Sequence, residues 1–251
     1  MYKKAVTRTL VVFIYLLLLF CCTGCRHDRV LATSDFPVKP GTADWKAFGT
    51  HQEMLNACRI PEKVLTQLST EGLIETMLNY PLLFEIFAFN TPQQGIDAVT
   101  AQFNGFQELF TRDDRCARLI NKYESMDIRP QIDGLSAVAQ VEYIWRVSVL
   151  EMIMAQQPVS SALSPSQIND LLTISLDKVA QKRAEADLIS NGEQTTAWLI
   201  SRTLQLAGYQ PFLEIYNEDE YLPGFVSTGF AYNDYSILFT LAEQYLTDHS
   251  R

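Results

Sequence analysis

The segment SPSQINDLLTISLDKVAQK, residues 164–182, carries the clearest helix signal in the chain. It opens with a capping box: the Ser164 hydroxyl can accept from a backbone N–H of the first turn, and the Gln167 side chain can reach back to the Ser164 N–H. Pro165 occupies the first helical position, where a fixed φ and a missing N–H are tolerated. Apolar residues then recur every three or four positions, which predicts an amphipathic helix: Ile168, Leu171, Leu172 and Val179.

Two further capping boxes begin at Thr91 and Ser190, with Gln94 and Glu193 as the residues that reach back. Helical spacing of apolar residues extends over most of the chain, whereas alternating strand patterns are scarce. The sequence therefore predicts an all-α protein. The predicted helices cover residues 43–57, 61–68, 70–79, 82–89, 92–110, 114–125, 136–156, 165–187, 192–207 and 234–247.

The helices predicted between residues 43 and 126 are short and are joined by few residues, so successive helices should pack nearly antiparallel. Helical hairpins of this kind can stack into an α-solenoid-like array. No fixed repeat period is visible, so an irregular multi-helix domain is at least as compatible with the pattern. The sequence leaves both architectures open.

Residues 208–233, GYQPFLEIYNEDEYLPGFVSTGFAYN, lose the helical spacing and accumulate glycine, proline, asparagine and aromatic residues. We expect one long aromatic and acidic loop here, and loops of this length are often functional. Acidic residues flanked by tyrosines resemble a sugar-binding wall, although a solvated loop tip is the simpler interpretation. The candidate binding residues are Tyr216, Glu218, Asp219, Glu220 and Tyr221.

The N-terminus has the layout of a secretory signal. Lys3, Lys4 and Arg8 precede an apolar run of 13 residues, Leu10 to Cys22. A membrane-spanning helix needs about 20 such residues, whereas the apolar region of a signal peptide has about 7–15. Small residues follow at the point where a signal peptidase cuts.

Thr23-Gly24-Cys25 after this run resembles the lipobox of bacterial lipoproteins, although Cys22 stands where that family most often has leucine. The resemblance implies that Cys25 is lipidated and becomes the first residue of the mature chain. It implies a signal peptide at 1–24, a tether at 25–42 and a helical domain at 43–251. The partner would be a membrane of the bacterial cell envelope, held through N-terminal acyl chains, with the outer membrane or the periplasm-facing side favoured.

Arg59 to Leu83 is also similar to a segment of uncharacterised bacterial envelope proteins, and this resemblance implies no activity. The formal net charge is −9, and removal of residues 1–24 makes it −12. A surface of this charge repels nucleic acid, so we expect no nucleic-acid partner. The densest group of basic residues, Lys178, Lys182 and Arg183, alternates with acidic residues and is interpreted as a solvated helix face.

Processing at Cys25 would leave Cys58 and Cys116 as the remaining thiols. Outside the cytoplasm they could form a disulfide, closing a loop of about 57 residues, or stay separate and buried as small apolar groups. Neither spacing nor helical position decides between these alternatives. The chain has no CxxC motif, which argues against a redox pair or a zinc knuckle.

Common catalytic patterns are missing from the sequence. His51 is the only histidine in the predicted helical domain apart from His249 near the C-terminus, and it is interpreted as a surface residue. There is no phosphate-binding glycine motif, and we expect no cofactor and no metal. The leading hypothesis is a lipid-anchored, non-enzymatic binding or scaffold module that contacts an envelope protein or glycan. The alternatives are a glycan or peptidoglycan hydrolase that uses loop carboxylates, and a lipoprotein that binds a small ligand between helices.

Overall fold

A computed structural model describes residues 32–188 and 192–249. Within these ranges the chain forms α-helices and one 3₁₀ helix and no strand, which confirms the all-α prediction. The N-terminal helices are α1 (Ala43–Lys46), α2 (His51–Ala57), α3 (Glu62–Leu65), α4 (Thr70–Leu78), the 3₁₀ helix (Leu83–Ala88), α5 (Pro92–Gln102), α6 (Asn104–Thr111), α7 (Arg115–Ser125) and α8 (Ile128–Ile132). The C-terminal helices are α9 (Ala137–Met154), α10 (Gln157–Ser160), α11 (Pro165–Ala184), α12 (Gln194–Leu206), α13 (Gln210–Glu218), α14 (Leu222–Thr228) and α15 (Ser236–Asp248).

The helix start of the opening segment forms as predicted. The Ser164 hydroxyl accepts from the Gln167 N–H at 3.3 Å, and the Gln167 side chain accepts from the Ser164 N–H at 2.9 Å. The Thr91 hydroxyl likewise accepts from the Gln94 N–H at the start of α5. The third predicted box includes Ser190, which lies outside the described residues.

Two helices predicted as continuous are each broken in two. The predicted helix 43–57 stops after Lys46, because Thr50 and Glu53 form a capping box that starts a new helix, α2. The predicted helix 92–110 breaks at Phe103, whose backbone is extended (φ −105°, ψ 117°). This conformation places the Phe103 ring in the core, stacked 4.0 Å from the ring of Tyr80. Tertiary packing therefore overrides the helical spacing at this position.

The predicted loop 208–233 is wrong as a loop, because most of the segment is helical in α13 and α14. Pro211 and Pro223 lie in the first turns of these helices, where proline is favoured, rather than in a loop. Gly229 then ends α14 with a left-handed conformation, φ +72°. The irregular part of the predicted loop is reduced to the link between the two helices and the stretch after Gly229.

The helices surround one hydrophobic core. Helix α9 lies at its centre and packs against α4, α5, α7, α8, α10 and α12. Helix α11 packs against α7, α8, α12 and α15. In a solenoid each hairpin contacts only its neighbours along the chain. The contacts of α9 and α11 span distant parts of the sequence, so the architecture is the irregular multi-helix domain.

The packed domain begins before residue 43. The Ser34 N–H donates to the Thr76 hydroxyl on α4 at 2.9 Å. The Phe36 side chain is buried and its ring lies 5.9 Å from that of Tyr80. The segment expected to be a tether, 25–42, therefore contacts the domain at Ser34 and Phe36. No helix of the described ranges is long and apolar enough to cross a membrane.

Candidate functional site

An open groove of about 560 Å³ lies between the start of α5, the α9–α10 junction, α12, α13 and α14. Among the polar side chains that line it, amides and hydroxyls outnumber charged groups. The lining residues are Gln93, Asp97, Ala155, Gln156, Gln157, Pro158, Ser160, Arg202, Gln205, Leu206, Tyr216, Val226 and Ser227. We call this surface the amide groove.

Arg202 fixes the walls of the amide groove relative to one another. Its guanidinium donates to the carbonyls of Val226 and Ser227 in the last turn of α14, each at 2.8 Å. It also donates to the carbonyl of Ala155, at the end of α9, at 3.0 Å. Carbonyls in the last turn of a helix lack intrahelical donors, so one arginine here satisfies the ends of two helices. Burial lowers the pKa of Arg202 to about 10, so the side chain is still cationic at neutral pH.

The ring of Trp198 packs against the guanidinium of Arg202. The guanidinium carbon of Arg202 lies 4.2 Å from the ring centre, a cation–π distance. The Trp198 indole N–H donates to the same Val226 carbonyl at 2.9 Å. Trp198 is fully buried, so it positions Arg202 without reaching the groove itself.

Three side chains form a hydrogen-bond network on one wall of the amide groove. The Gln93 amide nitrogen donates to Asp97 at 2.7 Å and to the Gln156 side-chain oxygen at 2.9 Å. The Gln156 amide in turn donates to the Met152 carbonyl. The Gln93 side-chain oxygen is buried and accepts no hydrogen bond from the described residues.

Gln205 and Tyr216 supply the remaining functional groups of the wall. The Gln205 side chain makes no hydrogen bond within the described part of the protein, so its amide is free to donate and to accept. Tyr216 is half-buried and lies beside Phe212, with a centroid distance of 6.0 Å, which restrains its ring. The arrangement offers paired donors and acceptors next to an aromatic ring, a combination suited to hydroxyl-rich ligands.

The structure separates the five residues predicted as one binding loop. Tyr216 alone lines the amide groove. Asp219 is structural: its carboxylate accepts from the N–H groups of Tyr221 and Leu222 at 2.7 and 2.8 Å and from the Tyr232 hydroxyl at 2.9 Å. Glu218, Glu220 and Tyr221 are exposed and do not line the groove.

Cys58 and Cys116 are both buried and unpaired, so the structure does not contain the disulfide considered from the sequence. The Cys116 thiol donates to the Val159 carbonyl at 3.4 Å. Burial raises the pKa of both thiols, that of Cys58 to about 11. Protonated, enclosed thiols of this kind are inert packing groups rather than nucleophiles.

The interpretation of the basic group on α11 as a solvated face is wrong for two of its three residues. Lys178 and Lys182 are buried, and only Arg183 faces solvent, where it pairs with Glu193. Lys182 forms a fully buried ion pair with Glu151 on α9. Lys178 donates to Asp127 and to the Glu124 carbonyl, each at 3.3 Å. These lysines join α11 to α9 and to the α7–α8 link, and they are closed to ligands.

The remaining predicted positions have simple outcomes. His51 lies on the surface, with its Nε2 atom 3.0 Å from the Glu85 carboxylate. Cys25, the predicted lipidation site, lies outside the described residues. The described residues contain no group of three or more His, Cys, Asp or Glu side chains that could hold a metal ion.

Sequence reasoning missed most of the amide groove, because its residues come from five helices that are distant along the chain. The pair of amides at Gln156 and Gln157, directly before Pro158, is the one local signal that marks it. Comparisons of this chain with protein-family models, with curated proteins and with solved structures found no significant match.

Proposed function

We propose that this chain is a lipid-anchored, non-enzymatic binding module of the bacterial cell envelope and that the amide groove binds a glycan. The observation that carries the glycan assignment is the chemistry of the groove, which is lined by glutamine amides together with a half-buried tyrosine ring. The observation that supports the anchor is the similarity of Thr23-Gly24-Cys25 to a lipobox.

Sugar hydroxyls both donate and accept hydrogen bonds, as do glutamine amides, so each sugar hydroxyl can be matched by one amide. Arg202 uses three of its donors on backbone carbonyls, which leaves it few for a ligand anion. A neutral, hydroxyl-rich ligand therefore fits the groove better than a phosphate or a nucleic acid.

The composition of the groove favours binding over hydrolysis. Glycoside hydrolases of the common type use two carboxyl groups about 5–10 Å apart. Among the described residues that line the groove, Asp97 supplies the one carboxylate, and Gln93 donates to it. The acidic residues Glu218 and Glu220, considered for the hydrolase alternative, lie outside the lining.

The test measures binding of two probes: purified peptidoglycan sacculi by co-sedimentation, and chito-oligosaccharides by calorimetry. Gln205→Ala and Tyr216→Ala should each weaken binding about tenfold, the loss expected for one or two hydrogen bonds or one stacking face. Gln244→Ala is the matched control, because Gln244 is an exposed glutamine on α15, away from the groove.

Binding that survives both groove substitutions, or the absence of binding to either probe, contradicts the glycan assignment. Release of reducing ends from the sacculi contradicts the non-enzymatic assignment. The anchor is tested separately: Cys25→Ala should abolish acyl labelling and release the protein from membranes, and continued labelling would show that Cys25 is not the modified residue.

A further inference from the structure

An exposed aromatic surface lies on the 3₁₀ helix and on α9. The rings of Phe84 and Phe87 lie 5.7 and 5.5 Å from that of Trp145, and the two phenylalanine rings are 6.4 Å apart. Phe87 is 43% exposed and Phe89, two residues further on, is 45% exposed. Val138, which is 71% exposed, lies two helical turns before Trp145 on the same face of α9. We call these five residues the aromatic surface.

The aromatic surface is not needed to close the core. Ile86 and Leu83, on the opposite side of the same 3₁₀ helix, are the residues of that helix that are buried. On α9, Ile144 and Val147 are fully buried, whereas Val138 is exposed and Trp145 is partly exposed. Large apolar side chains that pack mainly against each other at the surface are typical of a site that contacts a membrane or another protein.

The N-terminal segment docks on α4, the helix that Arg146, next to Trp145, also contacts. Ser34 is hydrogen-bonded to Thr76 on α4. Arg146, the neighbour of Trp145, donates to the carbonyl of Leu78 and to the side chain of Asn79, at the end of the same helix. Thr76 and Asn79 are three residues apart, a rise of about 4.5 Å along a helix. The docked N-terminal segment and the α9 residue next to Trp145 therefore contact the same end of α4, about one turn apart.

The length of chain before Ser34 limits which face can reach a membrane. Eight residues lie between Cys25 and Ser34, so the two Cα atoms are at most about 30 Å apart when the chain is fully extended. A domain of about 210 residues has a radius of gyration of about 17 Å and thus a diameter of roughly 40 Å. An anchor at Cys25 therefore holds the side on which Ser34 docks close to the bilayer and keeps the opposite side away from it.

We propose that the aromatic surface docks on the bilayer that holds the acyl anchor, at the boundary between headgroups and acyl chains. This inference rests on the proposed lipidation of Cys25. Tryptophan and phenylalanine are favoured at that depth, where a ring is buried and polar neighbours stay hydrated. Glu142 is exposed on α9 near Trp145, and Glu85 pairs with His51 beside Phe84. These acids limit the depth of insertion and favour zwitterionic over anionic lipid.

The experiment uses the full chain, acylated in a bacterial host and reconstituted into phosphatidylcholine vesicles whose acyl chains are brominated near the headgroup. Bromine quenches the fluorescence of a tryptophan that contacts it. Trp45→Phe leaves Trp145 and the fully buried Trp198 as emitters, so the quenched part of the emission should belong to Trp145. Adding Trp145→Phe should abolish this quenching, and adding Phe87→Ser with Phe89→Ser should reduce it without loss of helicity.

Each other outcome overturns the proposal in an identifiable way. Absence of acyl label on the wild-type chain overturns the anchor and the docking face together. An acylated, vesicle-bound chain whose Trp145 is not quenched overturns the docking face alone and leaves the anchor intact. Unquenched emission with self-association that Phe87→Ser abolishes would assign the aromatic surface to a contact between two copies of the chain.

Discussion

The Lys182 ammonium lies 2.6 Å from the Glu151 carboxylate, and neither side chain has any exposed surface. The Tyr123 and Thr196 hydroxyls donate to Oε1 of Glu151, each at 2.7 Å, while Lys182 and the Thr195 hydroxyl donate to Oε2. Every acceptor position of the carboxylate is therefore used. A buried charge is tolerated only when it is paired and hydrogen-bonded in this way, and the network joins α9 to α7, α11 and α12.

We expect Lys182→Met to destabilise the domain by about 3–5 kcal/mol, because it leaves the Glu151 carboxylate buried without a counter-charge. The matched control is Arg183→Met, the next residue on α11. Arg183 pairs with Glu193 in a position where half of its side chain is exposed, so its loss should cost less than about 1 kcal/mol. Urea denaturation of both variants measures the difference.

The double variant Glu151→Leu with Lys182→Met should be more stable than the sum of the two single effects predicts, because neither charge is left alone. Additive losses, or equal losses for Lys182→Met and Arg183→Met, would show that the buried pair is not energetically coupled.

Gly95→Ala should destabilise the domain by roughly 2–4 kcal/mol, the range of severe core overpacking. A Cβ atom at this position of α5 would lie 1.9 Å from the backbone oxygen of Ile86, so α5 and the 3₁₀ helix would have to separate. Gly224→Ala is the matched control inside α14, where a Cβ meets no atom within 4 Å. Alanine should there stabilise the helix by up to about 1 kcal/mol. Thermal melts of the two variants should therefore shift in opposite directions.

Asp219→Ala should reduce stability at neutral pH by about 1 kcal/mol, as for the loss of a helix cap. Burial alone would raise the pKa of Asp219, but the N–H groups of Leu222 and Tyr221 and the Tyr232 hydroxyl outweigh it and lower the pKa. A carboxyl with a lowered folded-state pKa stabilises the fold above its unfolded pKa of about 3.9, and this stabilisation is lost as the pH falls through the folded value.

The difference between the wild type and Asp219→Ala should therefore shrink as the pH is lowered from 5 towards 2. Glu220→Ala, one residue away and exposed, should leave stability unchanged at each pH. A constant difference across this range would mean that the Asp219 carboxylate is not held in its ionised form by these donors.

The two thiols of the helical domain should be protected but not bonded. Native protein treated with iodoacetamide at pH 8 should show little modification of Cys58 or Cys116, since both are buried and their pKa values are raised. Both should be modified fully after denaturation without reductant, as read by peptide mass spectrometry. If the denatured protein is modified only after a reductant is added, Cys58 and Cys116 form a disulfide, in contradiction to the structure.

The sequence predicted the helices where local signals and packing agree, as at Ser164, where the hydroxyl and the Gln167 amide cap each other as expected. It failed at Phe103, because the stacking of that ring on Tyr80 is a contact between residues 23 positions apart that no local pattern contains. It failed again at 208–233, where Pro211 and Pro223 were interpreted as signs of a loop. Proline is also favoured in the first turn of a helix, and both prolines lie there.

The buried ion pair was hidden from sequence analysis for a related reason. Lys182 finds its partner 31 residues away on another helix, so its charge was interpreted as a sign of exposure. One signal could have corrected this: Glu151 is the only charged residue in the apolar stretch Val147–Met154 of α9 and has to be neutralised there. Of the predicted binding residues, Tyr216 alone lines the groove. Glu218, at the end of the same helix α13, is exposed to solvent.

Comparing Arg202→Lys with Gln205→Ala should distinguish groove residues that stabilise the fold from groove residues that bind a ligand. Lysine keeps the charge but cannot donate to the three carbonyls of Ala155, Val226 and Ser227 in their fixed directions, so the expected loss of stability is about 2 kcal/mol. Gln205→Ala breaks no hydrogen bond in the described part of the chain and should change stability by less than about 0.5 kcal/mol. Glycan binding and melting temperature are measured for both variants. Gln205→Ala should weaken glycan binding without changing the melting temperature. A fall in melting temperature with Gln205→Ala equal to that with Arg202→Lys would mean that the groove amides hold the fold together rather than a ligand.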